Sequence, residues 1–109
     1  MSDNVIHRLN GVILERGSKR EENSYTCYLF EKGVDKILKK CGEECAEMII
    51  AAKNGDKHEL KNEIADLMYH ILVLCADRGL EWGEVEDVLA ERGNKTNNLK
   101  QSRETDKNS

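Results

Sequence analysis

At 109 residues, with no proline and 5% aromatic residues, the chain is predicted to form one small all-α domain rather than a sheet. The net charge of −4 argues against a nucleic-acid-binding surface. The sequence begins without a charged-then-apolar leader and has no apolar run long enough to cross a bilayer, so we expect a cytoplasmic protein with no membrane partner.

Caps, glycines and apolar spacing predict five helices, at about 4–16, 25–32, 34–53, 57–78 and 82–92. Asp3 and Ser24 are placed to cap the first two helices, and Asp56 begins a capping box for the fourth. The predicted domain covers residues 1–93. The remainder, 94–109, is polar and is predicted to be a disordered tail.

The fourth helix carries apolar residues nearly all the way round between Ile64 and Ala76. A helix of this kind has to be covered on every side. Either the first and last helices cover it, with Val85, Val88 and Leu89 facing inward, or a second subunit does. Because so short a chain buries a limited core by itself, we expect a helical bundle of two long antiparallel helices completed by homodimerisation.

The two long helices each carry a pair of acidic residues spaced by one turn. Glu44 and Glu47 share a face of the third helix, and Glu63 and Asp66 share a face of the fourth. The turn between the helices, at 54–56, is short enough to make them antiparallel neighbours. The two pairs are therefore predicted to face each other across one groove, which suits a hard divalent cation.

Electrostatics favours a cation in such a groove. Unit charges ~4 Å apart repel by ~4 kcal/mol at an effective dielectric constant near 20, so several carboxylates would be costly together. Oxygen ligands are those that Mg²⁺ and Mn²⁺ prefer. The alternative is that the acids form a solvated helix face on a non-catalytic helical dimer, which is the usual reading of a single such pair.

Other polar residues near the acids have simpler interpretations. Lys36, Lys39 and Lys40 are solvated by default, but beside a metal they would be placed to take phosphate charge. His70, one turn after Asp66, is interpreted as a hydrogen-bonding group rather than a ligand.

The four cysteines, at 27, 41, 45 and 75, lack CxxC spacing, and three of them fall on apolar stripes. This pattern indicates core positions rather than zinc or disulfide sites.

The acidic pattern EExxE at 43–47 followed by ExxD at 63–66 resembles the MazG-type all-α nucleoside triphosphate pyrophosphohydrolases. Further segments resemble the phosphoribosyl-ATP pyrophosphohydrolase family, and the resemblance covers roughly 5–93. These segments are SYT (24–26), KGVDKILKKCGEE (32–44), AAKNGD (51–56) and EIADLMYHILVL (63–74). The zinc-site cysteines of the fused cyclohydrolase form are absent, so a stand-alone enzyme is expected.

The resemblance implies Mg²⁺-dependent hydrolysis of phosphoribosyl-ATP to phosphoribosyl-AMP and pyrophosphate, the second step of histidine biosynthesis, by a helical dimer. It implies that the metal ligands are Glu44, Glu47, Glu63 and Asp66. It further implies that Glu43 orients or deprotonates the attacking water. Lys36, Lys39 and Lys40 would neutralise phosphate charge, and Tyr25 and Thr26 would line the pocket for the base or ribose. The alternative within the superfamily is a house-cleaning enzyme that hydrolyses ordinary or damaged nucleoside triphosphates.

Overall fold

A computed structural model of the chain describes residues 4–94, which form five helices and no strand. The helices are α1 (Val5–Ser18), α2 (Tyr25–Lys32), α3 (Val34–Lys53), α4 (Lys57–Asp77) and α5 (Trp82–Asn94). The predicted all-α class is confirmed. Across the described residues, every helix is too short or too polar to pass through a bilayer.

Side-chain caps begin α2 and α4 where the sequence predicts them. The Ser24 hydroxyl accepts a hydrogen bond from the Cys27 amide at 3.2 Å. The Asp56 carboxylate accepts one from the Glu59 amide at 3.0 Å. Each cap satisfies an amide that has no partner inside the helix, so each fixes the residue at which the helix starts.

The limits of α1 differ from the prediction at both ends. Asn4 caps the helix, and its side chain accepts from two amides of the first turn at 2.8 and 3.4 Å. Asp3, the predicted cap, lies outside the described residues. The helix also continues through Gly17 to Ser18. Gly17 therefore does not end the helix, and a Cβ atom there would lie in ordinary van der Waals contact with the Phe30 ring, at 3.4 Å.

The core lies where α1, α2, α3 and α4 meet, and its five fully buried side chains come from these four helices. They are Ile13, Leu29, Ile37, Leu72 and Val73, each 0% exposed. α3 and α4 form the most extensive helix pair, and Gly55, with a φ of 71°, permits the tight turn between them. α1 packs on a second side of α4, so part of the apolar circumference of that helix is covered within one chain.

Apolar side chains on two helices are largely exposed. In α5, Val88 and Leu89 are 49% and 58% exposed, so the prediction that they face inward is wrong. In α3, Leu38 and Ile49 are about half exposed, whereas Glu44 is buried. The buried face of α3 is therefore turned toward the acidic residues. Of the predicted polar tail, Asn94 ends α5, and 95–109 lie outside the described residues.

Candidate metal and substrate site

Three acidic side chains converge between α3 and α4. Glu44, Glu63 and Asp66 each place a carboxylate oxygen within 4.8 Å of the others. The antiparallel pairing of the two helices produces this arrangement, because Glu63 and Asp66 lie one turn apart on the side of α4 that meets Glu44. Glu44 is only 8% exposed, so its carboxylate belongs to the interior and not to a solvated helix face.

Glu47, the fourth predicted ligand, is exposed and lies beside Glu63 rather than inside the group of three. A side-chain hydrogen bond with Glu44 raises the pKa of Glu63 to about 7, with further contributions from desolvation and from Glu47. Without a cation, the cluster therefore relieves its repulsion by keeping a proton on Glu63 up to near-neutral pH.

Two oxygen atoms of this cluster lack partners. Glu44 Oε1 and Glu63 Oε1 are both buried, and neither has a hydrogen-bond donor within residues 4–94. Buried carboxylate oxygens without donors are costly unless a cation or a proton compensates them. An all-carboxylate set is also what hard divalent cations prefer. The residues present thus fit Mg²⁺ or Mn²⁺.

Lys40 lies at the rim of the cluster and links it to Glu43. Its Nζ atom is 3.4 Å from Glu43 Oε1 and 3.9 Å from Glu44 Oε2. Glu43 itself is exposed and is not among the three acids that converge. The structure thus places a positive charge between the buried acids and a solvent-facing carboxylate.

The α2 helix is fixed to α4 next to the acids by two side-chain hydrogen bonds. The Tyr25 hydroxyl donates to His70 Nε2 at 3.0 Å, because His70 Nδ1 donates to the Asp66 carbonyl oxygen at 2.7 Å. His70 is buried, and it acts as the hydrogen-bonding group that the sequence indicated. The Thr26 hydroxyl hydrogen-bonds the Tyr69 hydroxyl. Tyr25 and Thr26 therefore have defined positions beside the cluster.

Tyr28 and Lys32 were missed by the sequence reasoning. The ammonium groups of Lys32 and Lys36 lie 5.8 and 5.9 Å from the centroid of the Tyr28 ring. The available signal was the position of Tyr28 one turn after Tyr25 on the same short helix. Lys39 is exposed, and the structure records no contact between it and the acidic cluster within residues 4–94.

Replacing Tyr25 by Phe is expected to lower the free energy of unfolding by about 1–2 kcal/mol, because buried His70 Nε2 loses its donor. Urea unfolding followed by circular dichroism measures this change. Tyr28→Phe is the matched control, since no hydrogen bond to the Tyr28 hydroxyl is recorded within residues 4–94. Equal stabilities of the two variants would contradict a stabilising role for the Tyr25–His70 bond.

Comparison with known proteins agrees with this arrangement. The profile of the family described as phosphoribosyl-ATP pyrophosphohydrolase matches residues 6–93. A phosphoribosyl-ATP pyrophosphatase of Clostridium botulinum is 50% identical over 103 residues, which are 94% of this chain and 94% of that protein. Another, from Pelotomaculum thermopropionicum, is 59% identical over 87 residues, covering 80% of this chain and 86% of that protein.

A longer relative matches with part of its length. The histidine biosynthesis bifunctional protein HisIE of Halalkalibacterium halodurans is 57% identical over 88 residues, which are 81% of this chain and 42% of that protein. The family match and these identities confirm the resemblance read from the sequence segments. This chain belongs to the phosphoribosyl-ATP pyrophosphohydrolase family.

Proposed function

We propose that this chain hydrolyses the α–β phosphoanhydride of phosphoribosyl-ATP, giving phosphoribosyl-AMP and pyrophosphate in the second step of histidine biosynthesis. The observation that carries the proposal is the convergence of Glu44, Glu63 and Asp66, with two buried oxygens lacking donors, in a member of this family. An acidic cluster of this kind would repel a triphosphate by itself, so the reaction requires a bound cation.

Glu44, Glu63 and Asp66 would hold Mg²⁺, or Mn²⁺ in its place, with Glu47 contributing from beside Glu63. When bound, the cation supplies polarisation of the phosphoryl oxygens and compensates charge on the leaving pyrophosphate. His70 supports this set indirectly, because its bond to the Asp66 carbonyl oxygen connects that turn of α4 to Tyr25.

The chain's own residues supply the remaining chemistry. Lys40, at the rim, would neutralise triphosphate charge together with Lys39, and Lys36, two turns before Glu44, would neutralise phosphate charge farther from the metal. When Lys40 turns from Glu43 toward a phosphate, the Glu43 carboxylate becomes available to orient and deprotonate the attacking water. Tyr25 and Thr26 would line the pocket for the base or ribose.

The experiment that tests this function measures pyrophosphate release with Mg²⁺ from phosphoribosyl-ATP and, in parallel, from deoxynucleoside triphosphates. We expect release from phosphoribosyl-ATP that stops when EDTA is added and returns when Mg²⁺ or Mn²⁺ is restored. Activity on deoxynucleoside triphosphates alone would favour the house-cleaning alternative. The absence of activity on every substrate would favour a non-catalytic helical protein.

We further propose that the chain works as a homodimer. Apolar side chains on the two long helices, Leu38, Ile49 and Ile64, are each about half exposed in one chain, and a second copy would cover them. Sedimentation velocity at micromolar protein is expected to give a dimer mass, and Ile49→Lys is expected to shift the mass toward the monomer. A monomer mass for the unmodified protein would contradict this assembly.

A further inference from the structure

We propose that Tyr28, Lys32 and Lys36 bind the phosphate monoester of the substrate, which is carried by the second ribose, the one that ATP lacks. This inference rests on the proposed function, since that phosphate distinguishes phosphoribosyl-ATP from ordinary nucleotides. We call these three residues the lysine–tyrosine patch.

Two positive charges meet at one ring in this patch. Lys32 is the last residue of α2 and Lys36 lies in the first turn of α3, and both ammonium groups lie within 6 Å of the Tyr28 centroid. The ion pairs recorded within residues 4–94 include neither ammonium group. Two lysines that approach the same ring, and that no recorded ion pair within residues 4–94 includes, are suited to a doubly charged anion such as a phosphate monoester.

The position of the patch relative to the acids matches the layout of the substrate. Glu44, Lys40 and Lys36 follow one another at one-turn spacing along α3, so the patch is about 12 Å along the helix from the acidic cluster, at a rise of 1.5 Å per residue. The Tyr25 and Tyr28 rings stack between these two places, with centroids 6.0 Å apart.

Phosphoribosyl-ATP has a triphosphate at one end, a purine in the middle and a phosphate monoester at the other end. The protein offers acids that fit a metal, then aromatic rings, then a pair of lysines, in the same order. ATP and deoxynucleoside triphosphates lack the monoester, so the patch favours phosphoribosyl-ATP over them.

The first test replaces the exposed Lys32 by Ala. We expect the KM for phosphoribosyl-ATP to rise about tenfold, the size of a lost hydrogen bond to a charged phosphate, with a smaller change in kcat. Lys32→Arg should restore most of the affinity because it keeps the charge. Lys53→Ala is the matched control, since Lys53 is also exposed and is also the last residue of its helix.

The second test measures binding without turnover, by titration calorimetry of phosphoribosyl-AMP and of AMP. Lys32→Ala is expected to weaken the binding of phosphoribosyl-AMP about tenfold and to leave the binding of AMP unchanged, since AMP lacks the phosphoribosyl group. Equal losses for both ligands, or no loss for either, would overturn the proposal. Should the unmodified protein bind phosphoribosyl-AMP through Lys32 yet fail to hydrolyse phosphoribosyl-ATP, the proposed function fails and the patch stands.

Discussion

Asp66→Asn is expected to lower kcat for phosphoribosyl-ATP by about 10³-fold while leaving the helical content unchanged. Asp66 supplies one of the three carboxylate oxygens that lie within 4.8 Å of one another. The substitution keeps the size of the side chain but replaces a charged ligand by a neutral amide. Because Asp66 is exposed, the fold should tolerate the change, and the loss should fall on metal binding and catalysis.

Steady-state pyrophosphate release and far-ultraviolet circular dichroism measure the two quantities. Asp87→Asn makes the same chemical change on exposed α5 and should behave as the unmodified enzyme does. A near-normal rate for Asp66→Asn would show that Asp66 is not a ligand.

Glu47→Gln is expected to abolish turnover as well. A markedly smaller loss there would mean that Glu47 acts on Glu63 without holding the metal.

The fold was predictable wherever local chemistry determines it. Ser24 and Asp56 start their helices through bonds to amides three residues later, and such a signal needs no tertiary information. The spacing of Glu63 and Asp66, together with the short turn before α4, also suffices to place these acids opposite α3. The sequence therefore predicted five helices and the convergence of acids from two of them.

The burial of Glu44 could not be read from the sequence. Apolar periodicity puts Ile37, Leu38 and Ile49 on one stripe of α3, but Ile37 is fully buried whereas Leu38 and Ile49 are half exposed. A buried carboxylate becomes acceptable here only because a proton on Glu63, or a cation held between Glu44, Glu63 and Asp66, compensates its charge. That compensation depends on how α3 is rotated against α4, which hydropathy does not encode.

The lysine–tyrosine patch was hidden for a related reason. Tyr28, Lys32 and Lys36 meet only because the chain turns sharply between α2 and α3. Gly33 provides this turn with a φ of 94°, a conformation that side chains other than glycine rarely adopt. A sequence pattern indicates that a glycine ends α2, but it does not give the angle at which α3 leaves.

The metal-free protein is expected to lose stability as the pH rises from about 4.5 to about 7, and a divalent cation should restore it. The pKa of Glu63 is raised from 4.5 to about 7 in the folded chain. Between these values the folded state binds more protons than the unfolded state, so the free energy of unfolding falls with rising pH. Above about 7 this contribution no longer changes, because Glu63 is ionised in both states.

A cation competes with that proton, so the stabilisation that the cation provides should grow as the pH rises over the same range. At a metal concentration about 100 times its Kd, Tm should rise on the order of 10 °C at pH 8 and much less at pH 5. Differential scanning fluorimetry with EDTA, Mg²⁺ and Mn²⁺ at the two pH values measures these shifts. An equal shift at both pH values would contradict competition between proton and metal at this cluster.

Glu63→Gln tests the assignment to this residue. Removing the charge should raise the Tm of the metal-free protein at pH 8, because Glu44 then faces an amide donor in place of a second carboxylate. The same change should remove the metal-dependent shift and the hydrolysis of phosphoribosyl-ATP, so stability and activity move in opposite directions. Glu15→Gln, on the exposed face of α1, is the control and should alter neither quantity. The repulsion among the three acids is then the property that makes this site a receptor for a cation.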